Sequence, residues 1–539
     1  MSRYRTAGAS LRCAAMKILA VLIVLAACSP PRAPVPPVAT NPLDVATTEG
    51  RVFGHRAGDV DVFLGVPYAQ PPLGPLRWRE PVPPLAHAPL TADHFHLPCA
   101  QIPVPAGGDA FGSSKKIESS EDCLYLNVWV PKHAANEPLP VMVWIHGGQY
   151  IRGSASQYDG EQLARLGHVM VVTMDYRLGP MGFLAHPALT AESPHHTSGN
   201  QAMLDHVQAL RWLHANLAAF GGDPARVTVF GESGGSASAC AMLTSPLARG
   251  LVARVILESD ACLAGDDTPA LAQREELGKK LSQALACAGQ PDELACMRGK
   301  SQDDVLGALA LGKVLADDGG ASWVPALDGY VFTETSEQSI QAGHQPKIPV
   351  LMGTVDNELG RYATGAGVKT VDEYQKRLAK DWEGDAPKIA QLYPVTADDQ
   401  VLPQLGTLFS DWGMTCPTRR DVRWFAAAGV PVYLYRYMRA PNILQRSQGA
   451  FHGAELVSLF PSVFASHGWI HEPDDDVVTN VLVGYWSRFA ATGDPNGSGA
   501  LAWPRYEARS DPYMAIDVTP HAGTGLRAAQ CDVWDHVNK

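Results

Sequence analysis

The pentapeptide Gly231-Glu-Ser-Gly-Gly235 has the residue types and spacing of a serine nucleophile held on a tight turn. It follows the apolar run 227–230 and leads into the small and apolar residues 236–243, which favour a helix. A serine between a strand and a helix lies on a sharp corner, and the glycines beside it let the two backbones approach closely. This context, more than the five residues alone, predicts that Ser233 is a nucleophile for acyl transfer.

A second glycine turn, His146-Gly-Gly-Gln149, follows another apolar run and could stabilise the oxyanion that such a nucleophile creates. We predict that the backbone N–H groups of Gly148 and Gln149, together with that of Gly234, donate to the negative oxygen of a tetrahedral intermediate. An ordinary turn at the end of a strand is the alternative interpretation.

Both turns need a rigid scaffold, and the apolar runs of the chain indicate one. Runs that are apolar on both faces predict buried strands at residues 140–145, 168–174, 227–230, 254–257, 348–352 and 430–437. Because helical stretches separate these runs, we predict an α/β fold with a large, mostly parallel central sheet and helices on both of its faces.

The helical stretches are read from apolar residues at helical spacing. Between residues 202 and 219, leucines and a valine recur every three or four positions, and the run 220–224, Phe-Gly-Gly-Asp-Pro, ends the helix. The stretches 271–320 and 369–391 are predicted to be helical insertions around the active-site gorge.

Composition excludes several other classes of protein. The 539 residues are 46% hydrophobic, enough for a large core, and the net charge is −12. No stripe of Lys and Arg with interleaved aromatics occurs, so we expect no nucleic-acid partner. No His-Glu-x-x-His or paired Cys-x-x-Cys motif occurs either, so neither a metal site nor a cofactor is expected.

The amino terminus resembles an export signal. Basic residues precede the apolar stretch 18–27, which suits the h-region of a signal peptide and is too short to span a bilayer. Leu25-Ala-Ala-Cys28 resembles a bacterial lipobox, so we interpret residues 1–28 as an export signal with lipidation at Cys28, and Ser29 favours the outer membrane. The alternative is an ordinary cleavage site with Cys28 incidental, which would leave a periplasmic or secreted protein.

Residues 29–44 are rich in Pro and Ala and predict a semi-rigid tether, which leaves 45–539 as one folded domain.

Eight of the ten cysteines lie in this exported part, an even number in an oxidising compartment, so disulfides are expected. We predict the pairs Cys99–Cys123, Cys287–Cys296 and Cys416–Cys531. Cys240, which we expect to pack as a small apolar residue, and Cys262 stay unassigned.

Specific motifs recur in a fixed order over nearly the whole exported part. They are Phe63-Leu-Gly-Val-Pro-Tyr-Ala-Gln-Pro-Pro72, Glu121-Asp-Cys-Leu-Tyr-Leu-Asn127, Asp175-Tyr-Arg-Leu-Gly179, 220–224, 231–236 and Thr492-Gly-Asp-Pro-Asn496. On these motifs the chain resembles the type B carboxylesterases of the carboxylesterase/lipase family, which includes cholinesterases and bacterial para-nitrobenzyl esterases. The resemblance implies an α/β-hydrolase fold for residues 45–539 and hydrolysis of small-molecule carboxylic esters.

The family order of serine, acid and histidine assigns the other catalytic residues. The acid maps to Glu358 in the run 353–359, and the base maps to His452 in the run 450–456. Asp356 is the nearest alternative acid, and Glu358 is preferred on the family register alone. Glu232 matches a family glutamate that we expect to tune the local electrostatics rather than to transfer protons.

Two departures from the family pattern bear on the substrate. Gln149 stands where many relatives carry a third glycine, which makes bulky esters of tertiary alcohols doubtful substrates. The loop 99–123 has no tryptophan, so choline esters lack the cation-π contact that cholinesterases provide there. A lipase, lactonase or amidase of the same fold would share all of these candidate catalytic residues. A binding homologue without activity is a further alternative with less support.

Overall fold

A computed structural model of the chain describes residues 43–102, 118–132, 137–263, 268–312, 320–443, 449–465 and 467–537. These residues belong to one structural unit, Val38–Lys539. The predicted export signal, Cys28 and nearly all of the predicted tether lie outside the described residues. Among the described residues, no helix has the length and apolar character that crossing a membrane requires.

An extended sheet of eleven strands forms the centre of the fold, and three short strands form a second sheet. The strands are β1 Asp44–Ala46, β2 Arg51–Phe53, β3 His55–Ala57, β4 Val60–Pro67, β5 Leu90–Thr91, β6 Tyr125–Pro131, β7 Leu139–Ile145, β8 Met170–Met174, β9 Gly222–Glu232, β10 Arg254–Glu258, β11 Val350–Val355, β12 Val432–Tyr437, β13 Pro512–Ile516 and β14 His521–Thr524. The large sheet has the order β14-β13-β12-β11-β10-β9-β7-β8-β6-β4-β3. Its centre, from β8 to β13, is parallel, and its two edges are antiparallel.

Each central strand buries both of its faces. In β7, Val141, Val143 and Ile145 belong to the apolar cluster on one side of the sheet, while Met142 and Trp144 belong to the cluster on the other side. Because successive side chains of a strand point to opposite faces, a strand covered on both sides reads as a continuous apolar run. The mostly parallel, doubly covered sheet predicted from these runs is confirmed.

Helices fill the connections between the strands. They are α1 Glu161–Gly167, α2 Gly179–Phe183, α3 Pro187–Glu192, α4 Gln201–Asn216, α5 Gly234–Thr244, α6 Leu271–Ala284, α7 Glu293–Arg298, α8 Gln302–Gly307, α9 Ser336–Ala342, α10 Gly360–Ala363, α11 Val371–Trp382, α12 Ala386–Leu392, α13 Val401–Ser410, α14 Cys416–Ala427, α15 Leu456–Leu459, α16 Ser462–Ala465, α17 Pro473–Thr492 and α18 Ala528–Val537. Residues of α4 and α5 pack in the first apolar cluster, and residues of α1 and α17 pack in the second.

The helices predicted from periodicity are present with adjusted ends. The helix expected over 202–219 is α4, which ends at Asn216 and continues as a 3-10 turn to Phe220. The first predicted insertion contains α6, α7 and α8. The second contains α11 and α12, which share a separate apolar cluster with α13 and α18.

Four disulfides lie among the described residues. The structure pairs Cys99 with Cys123, Cys287 with Cys296, and Cys416 with Cys531, as the sequence predicts, and it adds a fourth pair, Cys240–Cys262. Cys240 is fully buried, as expected, and the state of Cys240 and Cys262, which the sequence left open, is a disulfide. Cys240 lies on α5 and Cys262 follows β10, and α5 packs against β10, which brings the two together. Disulfides in this number are typical of proteins that fold in an oxidising compartment.

Candidate active site

Ser233 occupies the corner between β9 and α5 in a strained backbone conformation. Its φ of 57° and ψ of −129° are rarely adopted by residues other than glycine, at a cost of roughly 1–3 kcal/mol. Two hydrogen bonds hold the corner: the Ser233 N–H donates to the Glu258 carbonyl at 2.9 Å, and the Ala237 N–H donates to the Ser233 carbonyl at 3.1 Å. Backbone strain of this kind is typical of residues at functional sites.

The glycines on either side of this corner are required by close backbone contacts. A Cβ on Gly231 would lie 2.5 Å from the Gly235 carbonyl carbon, and a Cβ on Gly235 would lie 2.0 Å from the Ile145 carbonyl oxygen. Neither distance is compatible with a side chain, because both neighbours are backbone atoms. The sequence argument that glycine lets the strand and the helix cross closely is therefore correct for these two positions.

The loops that carry the candidate acid and the candidate base are joined to each other. Glu358 follows β11, and His452 lies near the start of the described segment 449–465. Between them, Asn357 and Phe451 form a parallel β-bridge, and the Asn357 N–H donates to the Ala450 carbonyl at 2.8 Å. This bridge fixes the separation of the two loops, although 94 residues separate Glu358 from His452.

Glu358 is fully buried and uses both of its carboxylate oxygens. Oε2 lies 2.6 Å from Nδ1 of His452, and Oε1 accepts a hydrogen bond from the Val355 N–H at 2.8 Å. The neighbouring N–H of Leu359 donates to the hydroxyl of Ser410 at 2.9 Å, which anchors the acid loop to α13. The bond to Nδ1 leaves the other ring nitrogen, Nε2, as the atom that can accept a proton.

Asp356 does not contact the histidine in this way. Its carboxylate pairs with the guanidinium of Arg436 on β12, where both side chains are partly exposed. The structure therefore brings Glu358, and not Asp356, against His452.

The glycine turn after β7 lies directly against the nucleophile corner. A Cβ on Gly147 would lie 3.1 Å from the Cβ of Ser233, and a Cβ on Gly234 would lie 3.5 Å from the backbone nitrogen of Gln149. Gly148 has a φ of 109° and Gln149 a φ of 57°. Gln149 therefore adopts a left-handed backbone conformation although it is not a glycine. The predicted oxyanion donors Gly148, Gln149 and Gly234 are thus gathered beside Ser233.

Glu232 precedes the nucleophile and lies beside the base. Its Oε1 is 3.1 Å from Nε2 of His452, within ion-pair distance but without hydrogen-bond geometry. Burial lowers the pKa of His452, yet the charge of Glu232 and the hydrogen bond that His452 donates to Glu358 outweigh this effect, so the pKa of His452 is raised well above the usual value. Burial raises the pKa of Glu232 itself to about 7.

Two further glutamates, Glu258 and Glu455, are buried behind this site. Glu258 accepts a hydrogen bond from Trp486 Nε1 at 2.8 Å, and Glu455 accepts one from the hydroxyl of Ser259 at 3.0 Å. Burial raises the pKa of Glu258 to about 8 and that of Glu455 well above the usual range. Both carboxyl groups therefore stay largely protonated near neutral pH, which avoids a cluster of like charges.

Sequence reasoning did not identify Glu258, Glu455 or Ser410 as parts of this region. The sequence signal for Glu258 is weak: it is a carboxylate that directly follows the apolar residues 255–257 of β10. In the described part of the chain, no group of three or more His, Cys, Asp or Glu is arranged to hold a metal ion. A strained serine, a histidine held by a carboxylate and a cluster of backbone N–H groups are components that acyl-transfer catalysis uses.

Comparison with known proteins agrees with this description. The model of the Carboxylesterase family matches residues 41–534. Fumonisin B1 esterase of Sphingopyxis macrogoltabida is 35% identical over 503 residues, which cover 89% of this chain and 87% of that protein. Cocaine esterase of Homo sapiens is 32% identical, with 90% and 88% covered, and carboxylesterase 1C of Rattus norvegicus is 33% identical, with 92% and 94% covered.

The chain belongs to the carboxylesterase family. It is accordingly a carboxylic ester hydrolase with the α/β-hydrolase fold, as the motifs of the sequence predicted.

Proposed function

We propose that Ser233, His452 and Glu358 form a catalytic triad that hydrolyses small-molecule carboxylic esters through an acyl-enzyme. The observation that carries the proposal is the 2.6 Å contact between Glu358 Oε2 and His452 Nδ1. The other ring nitrogen of His452 lies 3.1 Å from Glu232, the residue before the strained serine.

In the first half of the reaction, the Ser233 hydroxyl oxygen attacks the ester carbonyl carbon while Nε2 of His452 takes the hydroxyl proton. The carbonyl oxygen becomes negative and accepts hydrogen bonds from the N–H groups of Gly148, Gln149 and Gly234. The tetrahedral intermediate then collapses, the bond to the alcohol oxygen breaks, and the imidazolium gives its proton to the leaving alcohol.

In the second half, water attacks the acyl carbon, His452 takes a proton from it, and the carboxylic acid leaves as Ser233 regains its proton. Glu358 keeps the proton of the neutral ring on Nδ1 and stabilises the imidazolium that forms in each half. The charge of Glu232 adds to this stabilisation, and we assign it an electrostatic role without proton transfer.

The names of the relatives support an ester as the substrate, since they describe esterases that act on fumonisin B1 or cocaine and several carboxylesterases. An amide or a lactone would use the same triad and the same oxyanion donors. A panel of esters, lactones and anilides that vary in acyl and alcohol size separates these substrate classes.

The decisive experiment is Ser233→Ala, assayed on para-nitrophenyl acetate. If the triad acts as a unit, turnover should fall by about a million-fold. Ser236→Ala is a matched control, because that buried serine lies on α5, three residues after Ser233, and its hydroxyl donates to the Asp260 carbonyl at 3.1 Å. The control should keep most of its turnover. Full activity of Ser233→Ala contradicts the triad.

We further propose that the protein is exported and carries lipid on Cys28. The four disulfides support an oxidising location, and the lipobox-like run 25–28 supports the anchor. Radioactive palmitate should label the wild type but not Cys28→Ala in a bacterial host. Equal labelling of the two proteins contradicts lipidation, and an unprocessed cytoplasmic product contradicts export.

A further inference from the structure

Residues 146–150 form the turn that carries two of the proposed oxyanion donors, and we call them the oxyanion turn. Tyr150 has a φ of 62°, so Gly148, Gln149 and Tyr150 are three consecutive residues with left-handed backbone conformations. Two of the three carry side chains, which this region of φ and ψ disfavours. A strained turn of this kind persists only when the surrounding structure holds it in place.

One short segment, residues 175–179 directly after β8, contacts the oxyanion turn at both of its ends. The hydroxyl of Tyr176 donates to the His146 carbonyl at 2.8 Å, where the turn begins. The Gly179 N–H donates to the Tyr150 carbonyl at 2.6 Å, where the turn ends. The segment therefore bridges the two ends of the turn and fixes the distance between them.

Segment 175–179 can hold the turn because it is itself fixed to the core. Arg177 forms a buried ion pair with Asp205 on α4, with 2.6 Å between Nη2 and Oδ1, and the Arg177 backbone N–H donates to the same carboxylate at 3.1 Å. The hydroxyl of Tyr68, the residue after β4, donates to the Asp175 carbonyl at 2.7 Å. Hydrogen bonds between charged groups are stronger than neutral ones, so this segment is a rigid support.

The ring of Tyr176 is fully buried and packs against two imidazole rings. The ring of His146 stacks on it with the ring centroids 4.4 Å apart. The ring of His206 on α4 lies 4.5 Å away at an interplanar angle of 63°. Because this packing fixes the ring, the hydroxyl stays directed at the His146 carbonyl.

The His146 carbonyl also lies against the nucleophile helix. A Cβ on Gly235 of α5 would lie 3.0 Å from the His146 carbonyl carbon, so the two backbones are in close contact. A shift of this peptide would therefore move the oxyanion turn relative to Ser233. Such a shift matters for catalysis, because oxyanion donors act only when they are placed where the negative oxygen develops.

We propose that Tyr176 is a positioning residue, which holds the oxyanion turn at the place beside Ser233 that the transition state requires. This role rests on the proposed function of Ser233 and of the oxyanion donors. Tyr176 acts through the His146 carbonyl and touches no substrate. Because the negative oxygen forms only during the reaction, loss of the hydroxyl should weaken binding of the transition state and leave binding of the ground state unchanged.

The first test is Tyr176→Phe, which removes the hydroxyl and keeps the buried ring. We expect kcat/KM for para-nitrophenyl acetate to fall by about 10- to 100-fold, less than the roughly 10²–10³-fold loss that follows removal of a whole oxyanion donor. Tyr374→Phe is the matched control, because that tyrosine is also fully buried and donates to the Tyr393 carbonyl at 2.9 Å in the separate apolar cluster of α11 and α12. The control should keep the kcat/KM of the wild type.

A pair of inhibitors separates positioning from general damage to the site. With a phenethyl trifluoromethyl ketone, the Ser233 oxygen adds to the ketone carbon, the hydroxyl proton passes to His452, and the ketone oxygen becomes negative, as in the transition state. The alcohol made by reducing this ketone has a similar shape and cannot form the adduct. Tyr176→Phe should lose affinity for the ketone by the same factor as it loses kcat/KM, and it should bind the alcohol as the wild type does.

Tyr68→Phe tests the same segment from its other side. The variant removes the bond to the Asp175 carbonyl, so it should show the same pattern of losses on a smaller scale. Thermal unfolding of every variant checks its folding. Tyr68→Phe therefore also tests the role of the segment if Tyr176→Phe does not fold.

Several results would overturn the proposal. A folded Tyr176→Phe variant with the kcat/KM of the wild type would do so, and so would equal losses of affinity for the ketone and the alcohol. An equal loss of kcat/KM in Tyr374→Phe would show that the place of the hydroxyl does not matter. If Tyr176→Phe does not fold, unchanged kinetics of Tyr68→Phe overturn the proposal instead. Tight binding of the ketone to Ser233→Ala would refute the proposed nucleophile, so failure of the proposed function is distinguishable from failure of this role.

Discussion

Replacing Glu358 with glutamine preserves the shape of the side chain but removes one hydrogen-bond acceptor. The native carboxylate needs both of its oxygens, because Oε1 accepts from the Val355 N–H at 2.8 Å and Oε2 faces His452 Nδ1 at 2.6 Å. A glutamine side chain has one oxygen, so it can serve only one of these two partners in a site from which water is excluded.

The two possible orientations of the glutamine amide fix the size of the effect. If its oxygen stays on Val355, its NH2 group faces Nδ1 and moves the ring proton to Nε2, the tautomer that cannot accept the Ser233 proton, at a cost of about 10⁴ in turnover. If the amide turns over, its NH2 group meets the Val355 N–H, and a buried unpaired donor costs about 1–3 kcal/mol. That cost limits the productive orientation to roughly 1–20% of molecules, and the stabilising charge is lost in both cases. We therefore expect a loss of turnover between about 10² and 10⁴-fold.

The assay is kcat and KM for para-nitrophenyl acetate hydrolysis, with the thermal unfolding of each variant as the check of folding. Asp356→Asn is the matched control. Its carboxylate forms a partly exposed ion pair with Arg436, and such pairs contribute at most about 1 kcal/mol, so this variant should lose no more than about fivefold. A larger loss from Asp356→Asn than from Glu358→Gln would refute the assignment of the acid. So would a folded Glu358→Gln variant within tenfold of the wild type.

Three further perturbations test the electrostatics and the stability of the site. Glu232→Gln should move the acidic limb of the kcat/KM profile to lower pH, because the charge of Glu232 raises the pKa of His452; a limb that stays in place contradicts this. The folded state raises the pKa of Glu258 from 4.5 to about 8, so wild-type stability falls as pH rises through that window, whereas a glutamine does not titrate. The free energy of unfolding of Glu258→Gln relative to wild type, from urea titrations, should therefore increase from the acidic to the alkaline end, and a constant difference would show that Glu258 ionises normally. Replacing Cys416 and Cys531 by serine removes a disulfide that joins residues 115 positions apart. The chain-entropy estimate predicts that the free energy of unfolding falls by about 4.8 kcal/mol. A loss below about 1 kcal/mol would contradict this prediction.

The central strands were predictable because each one is covered on both faces. The runs predicted at 254–257 and 348–352 correspond to β10, Arg254–Glu258, and β11, Val350–Val355, with shifted ends. At their C-terminal ends both strands extend past the predicted run, because residues such as Glu258 and Thr354 still pair with the neighbouring strand. The corner at Ser233 was predictable for a different reason. Gly231 and Gly235 lie so close to other backbone atoms that a turn of this shape needs glycine at both positions.

The fourth disulfide and the contact of Ser410 with the acid loop depend on which helices and strands pack together. Motifs and apolar periodicity do not reveal that packing. Cys240 and Cys262 are 22 residues apart, yet their pairing follows from the packing of α5 against β10. The choice of Glu358 over Asp356 from motif position agrees with the contact to His452. The role of Ser410 in anchoring the acid loop was invisible, since α13 lies about fifty residues further along the chain.

The buried glutamates follow from the geometry of the nucleophile corner. β9 and β10 run parallel with Glu232 directly opposite Glu258, and the Ser233 N–H donates to the Glu258 carbonyl, so the corner requires both strands to end together. Glu232 beside the base and Glu258 therefore come close in a buried environment, and two carboxylates in such a place cannot both ionise readily. Burial raises the pKa of both carboxyl groups, and only for Glu232 does the charge of His452 partly reverse that rise, so Glu232 is the favoured site for the negative charge of the pair. A protonated Glu258 thus lets Glu232 carry the charge where the imidazolium forms, which gives the buried pair a reason to persist despite its cost to stability.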